Sequence, residues 1–147
     1  MPCSIDVAKF FLAQANEDAG DLVSNLKLQK LVYYAQGFHL AVFGQPLFED
    51  RIEAWTHGPV APSVYHNYKH HGGGSIPVPP DFDESVFTPE QLDLLNEVQQ
   101  VYGQYSAWRL REMTHDEAPW KDNYEPGASN RTIPSNDLLK FFKGLLN

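Results

Sequence analysis

Histidines are the first candidates for chemistry. His66 and His70 stand four apart, with His71 following, a spacing that brings two imidazoles to one metal when the segment is helical. A zinc site needs a third or fourth ligand, and Cys3 is isolated, with no glutamate accompanying the pair as in the metalloprotease motif. The plainer reading is a solvated helix end, where an imidazolium also suits the helix dipole. His115, within Thr114-His115-Asp116-Glu117, could be a general base with an orienting carboxylate. Adjacent residues rarely face each other, so the alternative is that Thr114 ends a helix while His115 bonds backbone across a loop. Cys3 could pair with a histidine as a nucleophile, but it precedes the first helix without the setting that lowers a thiol pKa. Gly72-Gly73-Gly74 lacks the preceding strand and following lysine of a phosphate loop. No catalytic constellation, metal set or cofactor motif emerges.

The aromatic residues make a different offer. Tyr33, Tyr34, Tyr65, Tyr68, Tyr102, Tyr105, Trp55, Trp108 and Trp120 exceed what a core of this size must bury. Tyrosine and tryptophan dominate binding hot spots, being large, stiff and able to hydrogen-bond at one edge. Core packing is the ordinary fate of any single one. As a set they suggest a partner surface, with Tyr65, Tyr68, Tyr105, Trp108, Trp120 and Tyr124 as the candidate patch.

These side chains need elements to hold them. Ser4 can cap a first helix over about residues 5 to 17, with Val7, Phe10, Phe11 and Ala15 at helical spacing. Ser24 or Asn25 opens the strongest helix, whose Leu28, Leu31, Val32, Ala35, Phe38 or His39, and Val42 form one broad apolar face until Gly44 and Pro46 end it. Gly37 inside it costs about 1 kcal/mol relative to alanine, which points to close approach by a neighbouring backbone. A strand or ribbon is expected over residues 47–56, broken by Gly58-Pro59. A helix from Ala61 or Pro62 runs to the triple glycine, and the Gly/Pro-rich stretch 72–85 is a flexible crossing. Thr88-Pro89-Glu90-Gln91 is a capping-box helix start, and further helices begin at Ser106 and at Ser135 or Asn136, with loop from Asp116 to Pro134 between them. The expected fold is mainly α: a single compact domain over residues 1–147, with five to six helices and a small β element.

At 147 residues the chain can bury a sizeable core by itself. Eleven basic against nineteen acidic side chains give a formal charge of −8. That disfavours general nucleic-acid binding, which rests on Lys and Arg displacing counterions, and Arg109, Arg111 and Lys121 are interleaved with acids. A basic partner is electrostatically easier than an acidic one. The single cysteine and the absence of a leader pattern suggest a reducing cytoplasm, and no apolar run reaches the roughly 20 residues of a membrane span.

Several ordered motifs have a familiar look: Lys27-Leu28-Gln29-Lys30-Leu31, Tyr33-Tyr34-Ala35-Gln36-Gly37, Pro46-Leu47-Phe48, Ile52-Glu53-Ala54-Trp55, His57-Gly58-Pro59-Val60, Thr114-His115 and Pro119-Trp120. Together they resemble the Panacea, or SocA-like antitoxin, domain family, which includes phage-associated GepA-type proteins. The resemblance implies a mainly helical bacterial or phage protein that neutralises a toxin encoded beside it by direct binding, without catalytic residues. The motif residues would then be scaffold, and the domain surface would choose the toxin. Glu53 could pair with Lys27 or Lys30, and Trp55 and Pro59 would pack the strand on the second helix, making Trp55 costly to remove if buried. An adaptor delivering a client to a protease is the alternative. A small hydrolase centred on His57 or His115, or a regulator binding its own promoter, are the lower ones.

Overall fold

The computed structural model of the chain describes residues 1–15, 22–127 and 131–146. Its spine is helix α2, Asn25–Phe43, capped by Ser24 Oγ, which accepts from the Lys27 N–H, and closed by Gly44 in the left-handed region (φ 72°). The expected single apolar face is exceeded, because fourteen of its 19 residues are buried. Packed around it are α1 (Ser4–Ala13), α3 (Pro62–Tyr68), α4 (Pro89–Tyr102), α5 (Ala107–His115) and α7 (Ser135–Leu146), together with strand β2 (Gly58–Val60). A helix buried on every side cannot be amphipathic in the usual sense. Its polar side chains point into the protein and must find partners there.

They do so by clamping non-helical chain. Gln36 accepts from the N–H groups of Leu47 and Phe48 and donates to the Phe48 carbonyl. Gln29 accepts from the Ala61 N–H while its amide donates to Asn25 Oδ1. Tyr33 and Tyr34 donate to the two oxygens of Glu117, the residue just before the short α6 (Ala118–Lys121).

The sheet has three antiparallel strands in the order β2-β1-β3, with β1 at Glu53–Trp55 and β3 at Arg131–Thr132. Glu53 pairs with Val60 on one side and Thr132 on the other. The expected ribbon therefore starts later than residue 47, since Leu47 and Phe48 are buried against Gln36 instead of paired in a strand. Gly58-Pro59 does not break it: these residues are the return strand, and proline is tolerated because β2 is at the sheet edge. The stretch from Asp116 to Pro134, expected as loop, contributes α6 and β3.

Other local expectations meet a mixed outcome. Thr88 and Gln91 form the capping box of α4, and Ser106 caps α5. The first helix starts at Ser4, its expected cap, and ends at Ala13, so that Cys3 takes the cap position; Cys3 donates its N–H to Asp6, while Ser4 Oγ donates to Asp50. Its expected last residues, 16 and 17, lie outside the described residues. The crossing 72–85 is tied at several points: Ile76 is buried and donates to the Val23 carbonyl, Asp81 pairs with Lys9 at 2.8 Å, and the Phe82 ring meets Phe10 edge-on. Gly37 is indeed a point of close approach, but the neighbour is a side chain, the ring of Phe142 on α7.

Candidate functional site

The hairpin β1-β2 turns through Thr56-His57 and lies against the N-terminal half of α2, with α3 on one side and α5 on the other. Between them runs a groove of about 960 Å³. Its walls are aromatic: Trp55 of β1, Tyr65 of α3, Trp108 of α5 and Tyr124 of the loop after α6. Gln29 and Lys30 of α2 line it as well, with Lys69 and Glu125 among its other charged residues.

Each ring is held by a definite partner. Trp55 donates its indole N–H to Glu53 and meets Tyr65 edge-on, at 4.9 Å between centroids. Trp120 lies behind the wall, donating to the Trp55 carbonyl at 2.7 Å. It is stacked between His115 (3.9 Å, 7°) and Tyr124 (4.6 Å, 13°). Trp108 is the exception, 58% exposed with the Arg111 guanidinium over its ring at 4.5 Å. Large exposed rings with a stacked arginine combine two residue types common at binding hot spots.

Of the six residues expected to form a partner patch, Tyr65, Trp108 and Tyr124 line the groove, and Trp120 supports it from behind. Tyr68 does not belong to it: the residue is only 8% exposed, and its phenol has Lys9 and Asp81 for charged neighbours. Tyr105 packs half-buried against the core. Trp55, expected as a buried scaffold residue, is half-exposed on the groove wall.

Beneath the hairpin the motif residues converge. Lys30 has no accessible surface, and its Nζ donates to the Pro59 carbonyl at 3.2 Å. The expected pairing of Glu53 with Lys27 or Lys30 is not made; Glu53 accepts from Arg51 and Trp55, and Lys27 donates to the Gly103 carbonyl. Gly58, at φ +114°, leaves room for this arrangement, since a Cβ there would lie 2.7 Å from Lys30 Cε and 2.9 Å from Thr114 Oγ1. Burial, reinforced by the positive charge of Arg111, lowers the Lys30 ammonium to about 7. Burial raises Glu117 to about 7, opposed by the two tyrosine hydroxyls that stabilise its charged form. Tyr33 and Tyr34 are pushed upward by burial and by the Glu117 charge they bond. His115 is lowered by burial and then by the cations around it, Arg111 and Lys30 foremost.

The histidines make no hydrolytic arrangement among the described residues. Arg111 Nε donates to His57 Nδ1 at 3.0 Å, His115 lies flat on Trp120 with its Nε2 unpartnered, and neither is hydrogen-bonded to a hydroxyl or thiol. Helix α3 ends at Tyr68, so His66 and His70 do not share a helical face; His66 sits by Trp55 and Tyr65 while His70 packs on His71. No group of three or more His, Cys, Asp or Glu suited to a metal occurs among the described residues. Glu117, weighed from the sequence only as an acid near His115, instead accepts from Tyr33 and Tyr34, although a carboxylate directly before Ala-Pro-Trp at a helix start was a usable signal. The burial of Lys30 has no signal in the local pattern.

Comparison with known proteins agrees with the motif reading. The curated protein "Antitoxin SocA" of Caulobacter vibrioides (strain NA1000 / CB15N) is 48% identical over 50 residues, which is 34% of this chain and 27% of that protein. The match thus spans only about a quarter of that relative's length. No solved structure matches the chain. The family model described as antitoxin SocA-like, Panacea domain, matches residues 28–121, a span running from α2 through the hairpin to α6. With well over half of its length covered by that match, and with the clamps of α2 inside it, the chain belongs to the SocA-like Panacea domain family.

Proposed function

We propose that this chain is an antitoxin that holds a toxin, encoded by an adjacent gene, in an inactive complex by direct binding in the cytoplasm. The observation that carries the reading is the groove, where Trp55, Tyr65, Trp108 and Tyr124 present large rings beside a hairpin built from family-motif residues. Such rings supply contact area at little cost in side-chain entropy. Inhibition is steric or allosteric, with no bond made or broken in a substrate. The separate engagements of His57 and His115 support that, as does the place of Cys3 at the far start of α1, bonded to Asp6. No helix among the described residues is long and apolar enough to cross a membrane.

Co-expression tests it. The product of the neighbouring open reading frame is expected to arrest growth alone, to be tolerated in the presence of this chain, and to co-purify with it. A neighbour that is harmless by itself, or that is tolerated without any complex, contradicts the reading. A partner whose half-life shortens when this chain is present would make the chain an adaptor for degradation instead.

A further inference from the structure

One side chain behind the groove wall fixes two of the rings in it. Trp120 donates its indole N–H to the Trp55 carbonyl at 2.7 Å, lies flat between His115 and Tyr124, and accepts the Tyr124 N–H on its own carbonyl at 2.8 Å. Yet Trp120 belongs to α6, and a helix of four residues has no stability of its own. It must be held from outside. Beyond its C-terminal end, Asn123 Nδ2 donates to the Pro119 carbonyl and to Asp137 of α7. At its start the hold is Glu117, whose two carboxylate oxygens accept the Tyr34 hydroxyl at 2.8 Å and the Tyr33 hydroxyl at 2.9 Å. Both tyrosines are buried in the spine helix, their rings edge-on to Phe142, with Tyr102 stacked on Tyr34. Burial and the Glu117 charge push both phenols up, so they stay donors. The other titratable groups facing Glu117 are Tyr102 of α4 and the adjacent Asp116, and neither supplies a positive charge.

We infer that Glu117 is a positioning residue for the groove: its carboxylate, held by the Tyr33 and Tyr34 hydroxyls, fixes α6 on the spine helix and, through Trp120, sets the wall formed by Trp55 and Tyr124. Hydrogen bonds to an ionised acceptor are roughly twice as strong as neutral ones, and here both donors come from rings that the core already immobilises. The residue type follows. A carboxylate offers acceptors on both oxygens to two donors, whereas glutamine offers one oxygen and an amide that itself donates. Aspartate is one methylene short. The contour of the groove is thus set from the core, by residues that do not line it. What the wall means for toxin binding rests on the antitoxin reading, while the wall itself is measured in the free chain.

The test is the NMR resonance of the Trp120 indole N–H in the intact, isotope-labelled chain, at a pH above the value of about 7 to which burial raises Glu117. Stacking and the bond to the Trp55 carbonyl set that resonance apart, and the indole of the exposed Trp108 marks the free position. Glu117→Ala is expected to move the Trp120 signal toward the free position, and so is Tyr34→Phe, which removes a single hydroxyl. Glu117→Gln, which keeps one oxygen, falls between Glu117→Ala and the unaltered chain. Asp116→Asn, an exposed acid next to it, changes nothing. The amides of Leu47 and Phe48, clamped by Gln36, are the internal reference and keep their positions, which a general loosening of the fold would not allow. If Glu117→Ala does not fold, Tyr34→Phe and Glu117→Gln decide alone. A Trp120 signal unmoved in these variants overturns the inference, as does one that moves only together with the reference amides. The two claims fail separately. A Trp120 that answers to Glu117 in a chain forming no complex with the neighbouring gene product leaves the positioning role and removes the antitoxin, whereas a toxin complex formed by a chain whose Trp120 ignores the variants leaves the antitoxin and removes the positioning role.

Discussion

A methyl group at position 37 would share space with the ring of Phe142, which is already wedged edge-on against Tyr33, Tyr34, Phe38 and Phe141. Alanine gains about 1 kcal/mol of helix propensity, but forcing extra volume into a packed core costs about 1 to 3 kcal/mol. Gly37→Ala is therefore expected to lower stability by up to about 2 kcal/mol in urea denaturation, and Phe142→Leu in the same chain to recover part of it. A stabilised Gly37→Ala protein would mean the ring moves aside freely. Trp55 is a contrasting case: half-exposed, with one indole bond to Glu53, it is expected to cost about 1 to 2 kcal/mol on truncation to alanine, below the roughly 3 to 5 of a fully buried tryptophan. A loss of the larger size would return it to the core. The sequence marks Gly37 as needing a reason, but it cannot say that the reason is a ring from the last helix, because that contact is purely tertiary. The expected pairing of Glu53 with Lys30 fails for a related cause, on the helical side of the pair. Charged residues at helical spacing look like a solvated face unless the helix is known to be buried all round.

At the level of elements, α2 links the hairpin and α6 through two buried ionisable groups whose proton equilibria oppose folding near neutrality. Glu117 is raised from 4.5 to about 7. Between those values the folded state holds a proton that the unfolded state has lost, so stability falls as pH rises. Lys30 is lowered from 10.5 to about 7. Above that value the unfolded state holds the extra proton, so stability rises with pH until the unfolded lysine also titrates. Each limb has a limiting slope of about 1.4 kcal/mol per pH unit. Their sum predicts a minimum of stability near neutral pH. Urea midpoints followed across the range are expected to lose the alkaline rise in Lys30→Met and the acidic fall in Glu117→Gln; an alkaline limb that survives in Lys30→Met would contradict the placement of that ammonium. Element boundaries with their own local signals were legible: Ser24, Thr88-Gln91 and Ser106 all cap as their types suggest. The four-residue α6 and two-residue β3 were not, since the first is anchored by tyrosines of α2 and the second exists only by pairing with β1.

On the scale of the whole molecule, α2 is a spine whose motif residues are internal clamps, and the surface they support carries the groove. That division explains why the family resemblance was readable from the motif residues while the binding surface was only partly so. Tyr65, Trp108 and Tyr124 come from three separate elements, and no periodicity within one element unites them. The central claim, that this groove holds the toxin, is tested most directly by titration calorimetry of the purified toxin against this chain and against a Tyr65→Ala, Trp108→Ala double variant. The account predicts a complex weakened at least a hundredfold in the variant, with unchanged folding by circular dichroism. An affinity that survives the loss of both rings would contradict it.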